Sequence, residues 1–236
     1  MLKKSLKLTS LVAVSILFLA VSEKIPTQKP TKPNGKELLI ADFEDGRLPN
    51  LLGGGSGAWA LNADDRDQEI IPEIIEMAGL RGSTRCLKLT YDVESSLPAQ
   101  NGFWTKLMDL DATSYDHLEF DIKGDAAIGF NDVFKVEIKK YKDAERVDKI
   151  EGSAIAHATP EWKTVSIPLN QMTGLFDASN PEIWRNPALS HKNLDEFVII
   201  FQDRQLKKKS GVVYFDNLRF VRTGKPGPKL LPRCIL

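Results

Sequence analysis

Tyr115-Asp-His-Leu-Glu-Phe-Asp-Ile-Lys123 alternates without a break: Leu118, Phe120 and Ile122 fall on one face, His117, Glu119, Asp121 and Lys123 on the other. A period of two is the signature of a half-buried β-strand. The same pattern recurs along the chain. Phe134, Val136 and Ile138 alternate with Lys135, Glu137 and Lys139; Val165, Ile167 and Leu169 with Thr164 and Ser166; Leu87, Leu89 and Tyr91 with Lys88, Thr90 and Asp92. Further strands are expected at 37–44, 102–108, 151–157, 195–203 and 211–221. Each has one dry and one wet face, as in antiparallel sheets packed on each other. Only 69–78 (EIIPEIIEMA) and 170–175 read as short helices. Many short strands and few helices predict an all-β fold: an antiparallel β-sandwich of the jelly-roll kind.

Outside that span the pattern stops. Lys3, Lys4 and Lys7 precede the apolar run Leu11–Val21, and Ala20-Val21-Ser22 offers small residues for signal peptidase. The run is shorter than the roughly 20 apolar residues of a membrane span, and no cysteine follows it to carry a lipid anchor. Residues 1–22 are therefore expected to be a signal peptide, which makes the protein exported, either periplasmic or extracellular. Residues 23–36 carry Pro26, Pro30 and Pro33 and nothing to bury, so they read as a linker. Residues 223–236 mirror them as a C-terminal tail, which leaves 37–222 as the folded domain.

Composition narrows the function. Lys+Arg and Asp+Glu are each 32, and losing residues 1–22 removes three lysines and no acid, for a mature charge of −3. A protein that binds nucleic acid by neutralising phosphates needs a basic excess, so no nucleic-acid partner is expected. Cys86 and Cys234 are too few for a disulfide framework or a four-cysteine zinc site. No catalytic signature stands out. Gly53-Gly-Gly-Ser-Gly57 lacks the lysine of a phosphate-binding loop, and Asp64, Asp65 and Asp67 lack the glycine and distal glutamate of an EF-hand. The carboxylate pair Glu119/Asp121 could serve a glycosidase but reads as ordinary wet-face acids. The chain is expected not to be an enzyme.

Four stretches in order carry a resemblance: Leu39-Ile-Ala-Asp-Phe-Glu-Asp-Gly46, Tyr115 to Asp125, Pro160-Glu-Trp-Lys-Thr-Val-Ser-Ile-Pro-Leu169, and Leu194 to Phe201 leading into Gly211-Val-Val-Tyr-Phe-Asp-Asn-Leu218. Together they resemble the galactose-binding-like jelly roll of carbohydrate-binding module family 11, and are also similar to the complex I intermediate-associated protein 30 family. The resemblance implies an exported, non-catalytic module that binds a polysaccharide or oligosaccharide, β-glucan-like or other, through an aromatic-lined cleft. A separate glycoside-active enzyme or an envelope protein is then a possible partner. The second family implies an alternative: an exported assembly protein that binds a protein partner with the same fold.

A sugar site needs aromatics to stack on C–H faces and planar polar groups for the hydroxyls. Trp104 faces away from Phe103 and Thr105. The loop between the Ile-Pro strand and the next one carries Phe176, Asp177, Trp184 and Arg185, where the family has an aromatic, an aspartate and an arginine in its cleft. Gln202 and Asp203 end the next strand, near another cleft position. Each aromatic has packing between the sheets as its alternative reading; Trp162 and Phe201 are expected to pack. The resemblance also implies a structural calcium. Asp42 and Glu44 point the same way from the first strand, and Asp216 lies on the last strand, which runs close to the first in such jelly rolls.

Overall fold

The computed structural model describes residues 36–141, 149–172 and 191–224. The strands are β1 Glu37–Ala41, β2 Ser56–Ala60, β3 Glu69–Glu76, β4 Arg85–Asp92, β5 Gln100–Leu110, β6 His117–Gly124, β7 Val133–Tyr141, β8 Lys149–His157, β9 Lys163–Pro168, β10 Leu194–Gln202 and β11 Ser210–Val221. They form two sheets. The back sheet runs β3-β4-β11-β6-β9, with β1 also paired to β11; the front sheet runs β2-β5-β10-β7-β8. Every pairing is antiparallel. This is the β-sandwich that the alternation predicts.

The apolar faces meet between the sheets. Phe120 of β6 lies 4.8 Å from Phe215 of β11 and 6.1 Å from Phe197 of β10, centroid to centroid. Phe201 is fully buried and stacks on Tyr91 at 4.1 Å, so it packs, as expected. Trp162 donates its indole N–H to Ala78 O at 3.0 Å and lies against the small cluster of Cys86, Val212 and Tyr214, so it packs as well.

Two elements differ from their sequence reading. Residues 69–78 are not a helix: Glu69–Glu76 is strand β3, at the edge of the back sheet. Ile70/Ile74 and Ile71/Ile75 repeat every four residues, a spacing that satisfies a helix and a strand alike. Pro72 decides between them. It breaks a helix interior, whereas an edge strand can leave its missing N–H facing outward. The first strand stops at Ala41, not at 44, because Phe43 adopts φ 57° and turns the chain out of the sheet. Of the helix expected at 170–175, the described part is one 3-10 turn, Leu169–Gln171; the rest lies outside the described residues.

The hydrogen-bonded chain also runs slightly past 37–222. Arg222 N donates to Lys36 O at 2.7 Å. Asp116 accepts from Thr223 N at 2.8 Å and Gly224 N at 3.0 Å.

Candidate functional site

On the front sheet, Phe103, Leu107, Phe134, Val136, Ile138, Phe197, Ile199 and Phe201 point into the core. Residues of the other parity therefore make the outer face. On β5 these are Gly102, Trp104 and Lys106. Trp104 stands opposite Gly57 of β2, and Trp59 of β2 stands opposite Gly102. Opposite residues of an antiparallel pair share a face, so both tryptophans lie on the outer face, each half-buried. Trp104 is thus where the sequence reading put it, facing outward.

Beside the tryptophans runs a row of charges. Lys106 Nζ lies 5.6 Å from the Trp104 ring centroid and forms ion pairs with Asp195 Oδ2 at 3.0 Å and Glu196 Oε2 at 2.7 Å. Burial works against the charge on Lys106, but its bonds to Glu196 and Asp195 win and raise its pKa. Lys139 bridges Glu196 at 3.7 Å and Glu137 at 3.8 Å, and Lys135 reaches Glu137 at 2.6 Å. Lysines and carboxylates balance along the row. The alternation of β7 predicts a wet face here, yet Lys135 and Glu137 are 8% and 2% exposed. Pairing with each other, and with β10, lets these charges be buried. Val198 and Ile200 complete the floor, flanked by Trp104 and Gly102 of β5 and by Glu137 and Lys135 of β7.

Gln202 closes the row at the far end of β10, donating to Gln100 Oε1 at 2.9 Å. Asp203 begins the turn after β10, its N–H bonded to Ala99 O at 3.1 Å. Trp104 and Gln202 are therefore on the face, with Asp203 at its rim. Phe176, Asp177, Trp184 and Arg185 lie outside the described residues.

Trp59 escapes the sequence reading. Ser56-Gly-Ala-Trp-Ala60 has a single large apolar residue, too little to show alternation. A signal does exist: Gly57-Ala58-Trp59 and Gly102-Phe103-Trp104 are the same Gly-x-Trp triplet, once on each of two paired strands.

The acids expected to hold calcium lie on or beside the back sheet, Asp216 on β11 and Asp42 and Glu44 in the turn after β1. β1 and β11 do run side by side. Glu44 accepts from Ser83 Oγ (2.8 Å), Thr84 Oγ1 (2.6 Å), Thr84 N (2.9 Å) and Arg85 N (3.0 Å). The Thr84 hydroxyl leads these donors, which outweigh burial and hold the Glu44 carboxyl down to about 2. Asp216 is fully buried and accepts from Asn217 N at 2.7 Å and Asn217 Nδ2 at 3.1 Å. Asp42 accepts from Glu44 N at 3.3 Å. Among the described residues, no three His, Cys, Asp or Glu side chains gather as a metal ion needs. Calcium takes about six to eight oxygens, whereas these carboxylates already serve O–H and N–H donors. As arranged, the residues do not fit the ion.

The pair Glu119/Asp121 is structural too. Glu119 is held by Arg219 at 2.9 Å and Ser166 at 3.0 Å; Asp121 by Thr164 at 2.6 Å and Asn217 at 3.0 Å.

Asp216 carries a pH prediction. Burial first, then the nearby Asp121 and Glu44, push its carboxyl from 3.8 up to about 6. Between those values the folded chain binds more protons than the unfolded one. Stability therefore falls as pH rises through that window, by on the order of 2–3 kcal/mol, and stays lowered above it. Asp216→Asn removes the charge. It should melt above wild type at pH 7, with the gap closing below about pH 4. A variant that melts below wild type at pH 7 would mean that the ionised carboxylate is compensated in the fold.

The comparisons with known proteins follow the same lines. The family model described as Carbohydrate binding domain 30 matches residues 76–222, a span that includes Trp104 and leaves out Trp59. No curated protein matches the sequence. Among solved structures, the chain is similar to the family 11 carbohydrate-binding module from Clostridium thermocellum in complex with a β-1,3-1,4-mixed-linked tetrasaccharide. The TM-score is 0.58 at 20% identity, covering 79% of this chain and 95% of that one. It is also similar to the family 30 module of a cellulosomal cellulase of Clostridium thermocellum, with TM-score 0.54 at 17% identity, covering 80% of this chain and 99% of that one. At such identities the likeness is one of fold.

Proposed function

Since this chain belongs to the Carbohydrate binding domain 30 family, we propose that it is an exported, non-catalytic module that binds a β-glucan-like polysaccharide across the outer face of its front sheet. The observation that carries this is the pair Trp59 and Trp104, side by side on the outer sheet face beside a polar row. A pyranose offers apolar C–H faces with hydroxyls around the rim. The indoles suit the faces, and Lys106, Glu196, Gln100 and Gln202 suit the rim. Asp203 and, outside the described residues, Phe176, Asp177, Trp184 and Arg185 would extend the site.

The balance of lysines and carboxylates along the row favours a neutral glycan over a polyuronate. Those carboxylates are engaged in ion pairs with lysines, which supports binding without cleavage. Export rests on the signal-like residues 1–22. An exported binding module suits partnership with a separate glycoside-active enzyme or an envelope protein.

The test is direct titration of the mature protein with a panel of soluble glycans, followed by tryptophan fluorescence and calorimetry. Mixed-linked β-glucan comes first, because the family 11 module of similar fold is in complex with such a tetrasaccharide. A neutral β-glucan should bind and shift the indole emission, with affinity nearly unchanged between low and physiological salt. Failure of every neutral glycan to bind, or selective binding of a charged one that fades with salt, overturns the reading.

A further inference from the structure

The two Gly-x-Trp triplets face each other antiparallel, and each glycine lies under the other strand's tryptophan. A Cβ built on Gly57 would come within 2.8 Å of Trp104 Cζ2, 3.1 Å of Cε2 and 3.2 Å of Nε1. A Cβ on Gly102 would come within 2.8 Å of Trp59 Nε1 and 3.1 Å of its Cε2. Carbon atoms in ordinary contact sit about 3.5–4.0 Å apart. Each indole therefore occupies space that any other residue at the facing position would fill. The arrangement is reciprocal: the same side of both rings, from Nε1 to Cε2, rests over a bare backbone.

The two glycines are not equivalent. A Cβ on Gly102 would also lie 2.3 Å from the Ile199 carbonyl oxygen, so a side chain there collides with the neighbouring strand. At Gly57 the three nearest atoms all belong to Trp104. Gly57 sits on edge strand β2 and has no positive φ, so its backbone accepts alanine without strain. Lys106, held by Asp195 and Glu196, adds a cation beside the same ring.

We infer that Gly57 is a positioning residue: it sets the height of Trp104 on the sheet, and with Gly102 under Trp59 it brings both rings to one level where a single glycan can lie on them. This rests on the binding reading above, and it goes further by assigning a role to a residue that touches no ligand. It also identifies the paired Gly-x-Trp triplet as the unit that builds the platform.

The experiment is Gly57→Ala, read with and without glycan. Without glycan, the near-ultraviolet circular dichroism of the indoles and their quenching by acrylamide should change, because Trp104 is lifted toward solvent, while the melting temperature stays within a few degrees of wild type. With the glycan that wild type binds, affinity should fall roughly tenfold or more, approaching the loss of a stacking aromatic. A double-mutant cycle guards against a purely structural effect: in a Trp104→Ala background, Gly57→Ala should change neither melting nor affinity further. Wild-type indole signals in Gly57→Ala overturn the role, as does wild-type affinity with altered signals, or an undiminished effect in the Trp104→Ala background. A wild type that binds no glycan overturns the proposed function alone; Gly57's hold on Trp104 is read separately from the indole signals, which need no ligand, and falls only if those signals stay at wild type.

Discussion

The double variant Trp59→Ala/Trp104→Ala is expected to lose glycan binding by roughly one and a half to four orders of magnitude and still fold. Each stacking aromatic contributes about 1–3 kcal/mol when truncated, by analogy with bases stacked on aromatic side chains, and each 1.4 kcal/mol is about a factor of ten in affinity. Both rings lie on the outer face and are half-buried, so truncation opens no cavity between the sheets. Stability should fall by much less than the roughly 3–5 kcal/mol typical of a buried aromatic. The natural control is Phe215→Ala: its ring is fully buried against Phe120, so that variant should lose stability in that range and keep its affinity while folded. Calorimetric titration and thermal melts of the variants separate the two outcomes. A double variant that melts as low as Phe215→Ala would place the tryptophans in the core.

Arg219→Ala should be the most damaging single change on the back sheet. Arg219 is fully buried; its Nε and Nη2 donate to Glu119 Oε2 at 3.2 and 2.9 Å, and its Nη1 to Asn217 O at 2.7 Å. Asp121, also fully buried, lies 3.8 Å from Nη2. The other nearby cation is Arg81, about half-exposed, 3.9 Å from Asp121 and 4.0 Å from Glu119. Removing one partner of a buried ion pair costs about 3–5 kcal/mol, because the other charge stays behind without compensation. For a domain of this size that is roughly 6–20 °C of melting temperature. Arg219→Lys should recover only part of it, since an ammonium cannot reproduce the planar fork. Glycan affinity below the melting transition should be unchanged in both, the front face being on the other sheet. A melting loss under about 1 kcal/mol would mean that solvent reaches these acids.

The strands of the core were legible because their apolar residues repeat every second position over a full strand: Leu118, Phe120 and Ile122 of β6, and Phe134, Val136 and Ile138 of β7. β3 was not, because its isoleucines recur at four, a multiple of two that also suits a helical turn, and only Pro72 argues for the edge of a sheet. The outward orientation of Trp104 was legible, because it sits in an alternating strand, but not that of Trp59, whose strand has no other large apolar residue and which joins the same face only once β2 is laid against β5. The charge row shows the same limit. Lys135, Glu137 and Lys139 look like a solvated face until β10 brings in Glu196, a residue far along the chain that makes their burial tolerable. Long-range pairing is where a one-dimensional reading stops, and it reaches the acids expected to hold calcium: Glu44, in the turn after β1, is met by Ser83, Thr84 and Arg85, none of which its own stretch of sequence announces.

The neighbouring ends of β1 and β11 have a mechanical consequence. Glu37 lies opposite Val221, and Arg222 N still bonds Lys36 O at 2.7 Å, so the chain enters and leaves the sandwich at one point. Tension applied through both ends would load these hydrogen bonds one at a time, peeling the first strand from the last like a zipper instead of shearing the whole ladder at once. The clasp of Thr223 and Gly224 on Asp116 would take the force first. Such a domain is weak when pulled between two anchors, because its first and last strands hold each other's ends.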